Sequence, residues 1–287
     1  MGITCADIWF VYPSKEDASS SYDWIKETAS NLNTQVDIFY NNEIIITSNN
    51  KIFIDNRELN LPKVVFLRGY FEKLALFLSN NNVRVINSYE SMNMTQDKFM
   101  TNYILAQNNI PTPVTIFGNS LTYEEAAKCF NNKSLVVKAN RGSRGEGVYL
   151  IGCKEEYDNA IHILEKDVII QEAIISSLGK DLRVYVLNGR ILGAVKRTSN
   201  TSDFRANVTL GATVELYECD QELEEICLKV SALFELDFCG IDILFDKESY
   251  SVCEVNGNAA FRGISKVSNI DMMNELVSYA LYLINER

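Results

Sequence analysis

Three residues near the C-terminus have the types and spacing of a magnesium site: Asp242 in one apolar run, and Glu254 with Asn256 in the next. Side chains alternate along a strand, so Glu254 and Asn256 project from one face. If the turn between Phe245 and Ser251 holds the five residues 246–250, antiparallel pairing sets Asp242 opposite Glu254. Two carboxylates and an amide oxygen are hard donors that suit Mg2+, an ion that keeps several waters and shares substrate phosphates. A phosphate cradle is therefore expected upstream, and Lys138-Ala-Asn-Arg-Gly-Ser-Arg-Gly-Glu-Gly147 has its features. Gly142, Gly145 and Gly147 let backbone amides curl around an anion, and Lys138 adds a point charge. The flanking runs Ser134–Lys138 and Val148–Ile151 read as strands, which makes the segment a hairpin loop. A dinucleotide fingerprint or a Walker loop needs a helix after the glycines. Such a hairpin by itself is also a common mobile turn; the magnesium triad is what favours a nucleotide.

A second group is Asp203-Phe-Arg205-Ala-Asn207, in a serine- and asparagine-rich stretch where no packing demand calls for arginine. A fixed guanidinium there meets negative charge as it develops in acyl transfer, with the Asn207 amide orienting it and Arg197 assisting. The alternative for Arg205 is an ordinary loop ion pair with Asp203. Arg262 and Asn258 stand in Gly257-Asn-Ala-Ala-Phe-Arg-Gly263, just beyond the triad, where Arg262 either binds an acidic substrate's carboxylate or stays a solvated charge. Arg68 follows the strand-like run Val64–Leu67, and strand ends of α/β sheets face ligands; it also fits plain turn chemistry.

These groups need a scaffold, and alternating strand and helix patterns supply one. Residues 7–11, 36–39, 64–67 and 83–86 read as strands around helices at 16–31 and 71–80, with a hairpin over 43–54. Helix 97–108 stops at Ile110-Pro-Thr-Pro113; strand 114–117 and helix 123–130 lead to the glycine hairpin, and helical residues 156–164 hold the single histidine, His162. Strands at 168–171, 181–187, 191–196 and 214–217, a helix at 221–234, the metal hairpin and a helix at 271–285 complete the chain. The 287 residues are 47% hydrophobic and 23% charged, enough for a large core in two or three domains. No apolar run approaches bilayer length and no basic-then-apolar leader is present, so the expectation is a cytoplasmic enzyme without membrane contact. Seven dispersed cysteines with no CxxC pair argue against zinc and against a disulfide framework. A net charge of −11 excludes extended contact with nucleic acid, so any anion must be met locally. With one histidine, chemistry rests on positioned charge and metal.

In order and spacing these motifs resemble the ATP-grasp superfamily, and within it the RimK-like carboxylate–amine ligases. The carriers are Asp97-Lys98-Phe99 leading into Ile110-Pro-Thr-Pro113, Val136-Val-Lys138 with its glycine loop, Gln171-Glu172-Ala-Ile174, and Gly179-Lys-Asp-Leu-Arg183. Lys196-Arg197, Asp203-Phe-Arg-Ala-Asn207, Gly240-Ile-Asp-Ile-Leu244 and Glu254-Val-Asn256 follow, so the resemblance covers most of the chain. It implies an α/β (α+β) ATP-grasp fold: an N-terminal α/β domain over 1–90, a central subdomain with a lid loop over 91–171, and a C-terminal subdomain with the magnesium site over 172–287. It also implies that ATP lies between two α+β subdomains with Mg2+, Mn2+ being the alternative ion, activates a carboxylate as an acyl phosphate, and that an amine then displaces phosphate.

The same matching puts Lys98 and Lys138 on the ATP phosphates, under the loop of Gly142, Ser143, Arg144, Gly145 and Gly147. Gln171, Glu172 and Ile174 fall on the adenine side, the last two acting through backbone groups, and Asp181 on the ribose. Otherwise Lys98 is a helix-face lysine and Asp181 a cap or turn former. The implied donor is an amino acid, glutamate first, and the acceptor an amine on a small molecule, peptide, protein or carrier; a homo-oligomer, dimer or tetramer, is expected. Where the family carries a Ser-Pro-Gly type turn after the metal ligands, this chain has 257–263, so substrate selection is expected to differ. Two rival classes stand beside this one: a kinase acting on a hydroxyl, and a non-catalytic ATP-binding regulator, which is expected to have lost the metal ligands that this chain keeps.

Overall fold

The computed structural model of the chain describes residues 5–118, 120–131, 134–142, 147–165, 167–201, 203–206 and 211–286. Its architecture is mixed α/β, as the motifs imply. The apolar run Ile8–Tyr12 forms β1, buried along its length. Ser14 caps α1 (Lys15–Asn31): its hydroxyl accepts the Asp17 N–H, one of the donors a helix N-terminus leaves open. β2 (Val36–Tyr40) returns parallel to β1. The short antiparallel strands β3 (Ile45–Ile46), β4 (Ile52–Ile54) and β5 (Arg57–Glu58) follow, so the expected hairpin gains a third strand. β6 (Val64–Leu67) pairs on the other side of β1, and α2 (Glu72–Asn80) leads to β7 (Arg84–Ile86), giving a parallel sheet in the order β2-β1-β6-β7.

Next come α3 (Tyr89–Gln96), α4 (Lys98–Gln107), β8 (Thr115–Phe117), α5 (Tyr123–Cys129), β9 (Leu135–Ala139), β10 (Val148–Ile151), α6 (Lys154–Leu164) and β11 (Val168–Glu172). Their strands form an antiparallel sheet, β10-β9-β11-β8. Asp97 caps α4 through the Met100 N–H, and Thr122 with Glu125 forms a capping box on α5. β12 (Lys180–Leu187) and β13 (Arg190–Thr198) are joined by Asn188-Gly189, both at positive φ (49° and 66°), the pair a tight two-residue hairpin favours. β14 (Thr213–Tyr217), α7 (Gln221–Leu233), β15 (Phe238–Asp246) and β16 (Ser249–Asn256) complete a five-stranded sheet, β14-β13-β12-β15-β16. α8 (Arg262–Val267) packs on β13 and β14, and α9 (Met272–Asn285) ends the chain. α3 and α8 were not legible as helices: the first has no apolar period, and the second is one short turn carrying Gly263.

Two compact units result: Met1–Met92 with Leu236–Phe238 and Ile270–Arg287, and Asn93–Glu235 with Cys239–Asn269. Residues 270–287, which the linear division assigns to the C-terminal subdomain, thus group with the N-terminal sheet, because α9 packs on α1 and β6. Among the described residues no helix is long and apolar enough to cross a membrane.

Candidate active site

The hairpin of β15 and β16 does set Asp242 opposite Glu254, with Gly240 opposite Asn256, so the triad shares one face. The route differs from the expected one. Asp246 pairs with Ser249, so the turn is two residues long, and this register alone would bring Cys253 opposite Asp242. A bulge between Val252 and Glu254 takes up Cys253 as an extra residue and restores the pairing.

Around the triad lies a buried charge network. Arg183 on β12 donates from Nε to Asp242 Oδ1 and from Nη2 to Oδ2, both at 2.7 Å. Arg197 on β13 grips Asp181 with the same fork at 2.6 and 2.7 Å and reaches Asp242 Oδ2 at 3.2 Å. The register explains this: Asp181 faces Arg197 across the ladder, and Arg183, two residues on, shares the face of Asp181. The two guanidinium groups hold Asp242 below the usual carboxylate range despite its burial. At Asp181 burial outweighs the pull of Arg197 and pushes the carboxyl up to about 6. Arg183 had no role in the sequence reading; its signal was the Asp181-x-Arg183 spacing on a strand next to that of Asp242.

Both lysines expected at the phosphates are buried. Lys98 is 8% exposed and Lys138 5%. Burial lowers the pKa of the Lys98 ammonium, Glu254 opposes that shift and Lys138 adds to it, so the three charges act on one another at close range. Lys98 Nζ donates to the Gly142 carbonyl at 2.8 Å. The side chains of Lys138 and Glu254 have no hydrogen-bond or ion-pair partner among the described residues. Gly142 (φ 136°) and Gly147 (φ 63°) take backbone conformations that other residues avoid, and Ala139 N–H closes the loop base on Gly147 O at 3.1 Å. Ser143, Arg144, Gly145 and Asn207 lie outside the described residues.

Other candidates have found local partners. Gln171 is buried and donates to Thr115 Oγ1 at 2.8 Å. The Glu172 N–H donates to Val114 O, and Ile174 O accepts the Ser177 N–H at the start of a 3-10 turn. Both Asp181 oxygens, expected at a ribose, are engaged by Arg197. Arg205 forms the ion pair given above as its alternative: Nη2 meets Asp203 Oδ2 at 2.7 Å. Arg262 is exposed at the first turn of α8, while Asn258 Oδ1 is buried without a hydrogen-bond partner among the described residues and the Asn258 backbone N–H donates to Asn256 Oδ1 at 3.1 Å. Arg68 belongs to the first unit, beyond β6 at its carboxyl end, with its side chain bonded to Tyr12.

The donor set is of a kind a magnesium ion takes: a Glu254 carboxylate without a side-chain partner among the described residues, an amide oxygen oriented by a backbone N–H, and Asp242, whose oxygens also accept from Arg183 and Arg197, with the remaining positions left to phosphate and water. Buried ammonium groups beside such a set form an arrangement that can bind a polyphosphate and hold it for phosphoryl transfer.

Comparison with known proteins bears on the same stretch. Residues 95–280 match the family model described as RimK-like ATP-grasp domain. A probable alpha-L-glutamate ligase of Maridesulfovibrio salexigens is 29% identical over 213 residues, which covers 73% of this chain and 68% of that protein. N-acetylaspartylglutamate synthase A of Mus musculus is 30% identical over 234 residues, 78% of this chain but only 59% of the synthase. Among solved structures, the ATP-grasp ligase PsnB complexed with minimal precursor aligns with a TM-score of 0.75 over 97% of this chain and 99% of that one, at 21% identity, a likeness of fold.

Proposed function

This chain belongs to the RimK-like ATP-grasp family of carboxylate–amine ligases, and from that membership we propose that it uses ATP and Mg2+ to join the carboxylate of an amino acid to an amine-bearing acceptor. The observation that carries the reading is the pair of buried ammonium groups, Lys98 and Lys138, beside Glu254, whose carboxylate has no hydrogen-bond or ion-pair partner among the described residues. Two like charges drawn out of water are held at a cost that a bound polyphosphate offsets.

In this reading Lys98 and Lys138 grip the phosphates, and the backbone at Glu172 and Ile174 takes the adenine. Asp242, Glu254 and Asn256 would hold Mg2+, which when bound would neutralise phosphate charge. The substrate carboxylate oxygen takes the γ-phosphoryl group as the bond to ADP breaks. The amine nitrogen then attacks the carbonyl carbon, the bond to phosphate breaks, and the amine proton leaves with the products. Arg205, once released from Asp203, meets the oxyanion of that second step, and Arg197 keeps the neighbouring carboxylates in place. Glutamate is the first amino acid to try, as donor and as acceptor, because the relatives named above are a glutamate ligase and a synthase of N-acetylaspartylglutamate, a product in which glutamate supplies the amine. Arg262, exposed beyond the triad, suits a second carboxylate on such a donor.

The test is ADP release from ATP and Mg2+ across a panel of amino acids, with and without hydroxylamine. Carboxylate-dependent ADP with a hydroxamate product supports acyl-phosphate chemistry and identifies the donor. A stable phosphate ester with no hydroxamate sinks the ligase reading.

A further inference from the structure

Asn140 stands at the junction of β9 and the glycine loop, and it carries four hydrogen bonds. It is 2% exposed. Its Oδ1 accepts the Phe99 N–H at 2.9 Å, and its carbonyl accepts the Lys98 N–H at 3.1 Å. Its Nδ2 donates to Asp167 Oδ1 at 3.0 Å, and its own N–H donates to Asp167 O at 2.7 Å. One residue thereby joins the N-terminus of α4, the end of β9 and the turn that opens β11.

We propose that Asn140 is the positioning residue of the nucleotide site, the tie that holds Lys98 and Lys138 together against their mutual repulsion. Lys138 lies two residues before Asn140 on β9, and Lys98 sits at the helix N-terminus that Asn140 fastens to that strand. Each of these ammonium groups destabilises the other's charge, so α4 and β9 would drift apart unless neutral contacts held them. The N–H groups of Lys98, Phe99 and Met100 are consumed by Asn140 O, Asn140 Oδ1 and Asp97 Oδ1. The helix end is therefore closed to an anion, and α4 offers the nucleotide a side chain instead of backbone donors. Asp167 fixes the amide's orientation, since only Nδ2 can donate to a carboxylate while Oδ1 accepts from Phe99.

The proposal rests on the ligase reading above, and the experiment separates the two. Binding of ADP with Mg2+ is measured by calorimetry for the full chain, next to the thermal midpoint of each variant without nucleotide. Asn140→Ala is expected to weaken ADP on the order of tenfold by loosening the cation pair. Asn140→Asp, which sets a carboxylate against Asp167, is expected to weaken it at least as much. The double variant Asn140→Asp with Asp167→Asn rebuilds a donor–acceptor match and is expected to recover most of the affinity, which a general loss of stability would not do. Unchanged affinity in Asn140→Ala, or a double variant no better than Asn140→Asp, overturns the proposal. If Asn140→Ala fails to fold, Asn140→Leu, close in volume and without the amide that accepts the Phe99 N–H, replaces it, and wild-type affinity in that variant is equally fatal. A wild-type protein that binds no nucleotide refutes the ligase reading and this role with it.

Discussion

An ammonium group taken out of water without a partner costs stability, and Lys138 is such a group among the described residues. Lys138→Met keeps the stem and removes the charge. We expect the nucleotide-free protein to gain about 1 kcal/mol while ADP affinity falls on the order of tenfold or more. Denaturation in urea beside ADP titration checks both, and lost stability with intact affinity would make Lys138 a structural residue. Asp181 gives a second expectation. Its folded pKa, about 6, lies above the ordinary 3.8, so the folded chain takes the proton more readily. The associated stability is full below 3.8 and is lost as the pH rises through about 6. Relative to Asp181→Asn, the wild type should therefore gain in thermal midpoint as the pH falls from about 7 to about 4. A constant difference across that range contradicts the assignment. Residue types and spacing brought Asp242, Glu254, Asn256 and Lys138 forward as candidates because few other reasons place them in or beside apolar runs, whereas Lys98 came from the family resemblance. They did not announce that Arg183 and Arg197 would be locked onto carboxylates, since pairing across three strands depends on a register that no single segment contains.

At the scale of elements, the pairing of Asp242 with Glu254 was read through a five-residue turn, while the chain uses a two-residue turn and a bulge at Cys253. The two errors cancel because each shifts the register by one. Without the bulge Glu254 and Asn256 would point to the opposite face of the sheet. The longer helices were legible from their caps and apolar spacing, whereas α3 and α8 depend on tertiary contacts. One contact shows how tightly the metal strands are built. A Cβ added at Gly240 would stand 2.6 Å from the Ala259 Cβ and 3.3 Å from the Arg183 Cδ. The segment after β16 is thus seated against β15 and further held by Tyr185, whose hydroxyl donates to Ala260 O at 2.8 Å. We expect Gly240→Ala to cost about 1–3 kcal/mol and to impair Mg2+-dependent turnover by displacing Arg183. Adding Ala259→Gly should return most of the stability, because the closer clash is with that methyl group, while the 3.3 Å approach to the Arg183 Cδ remains. Urea midpoints and ADP release on the single and double variants decide it, and a double variant as unstable as the single would show that the strain lies elsewhere.

For the molecule as a whole, the chain must close its first unit with its last helix. α9 buries Met272, Met273, Leu276, Val277, Tyr279 and Ala280 and packs on α1 and β6. Polar ties join in: Tyr279 OH and Arg84 Nη2 both donate to Asp237 Oδ1 at 2.6 Å, and Trp24 Nε1 donates to Asp271 Oδ1 at 3.0 Å. A linear division at residue 172 could not foresee this, because an amphipathic helix shows that one face is covered without showing by what. Each large apolar side chain uncovered costs about 1.5–3 kcal/mol, and the set together rivals the 5–15 kcal/mol, roughly, that stabilises a whole domain. Truncation after Asn269 should therefore unfold the sheet of β1, β2, β6 and β7, although the deleted residues lie far from it in sequence. Hydrogen exchange checks this by location: amides of β1 and β6 should lose protection in the truncated chain, and those of β12 and β15, whose sheet draws its partners from the other unit, should keep most of theirs. Protection retained in β1 and β6 would mean that the parallel sheet holds its core without α9, and loss in both sheets would mean that the two units unfold as one.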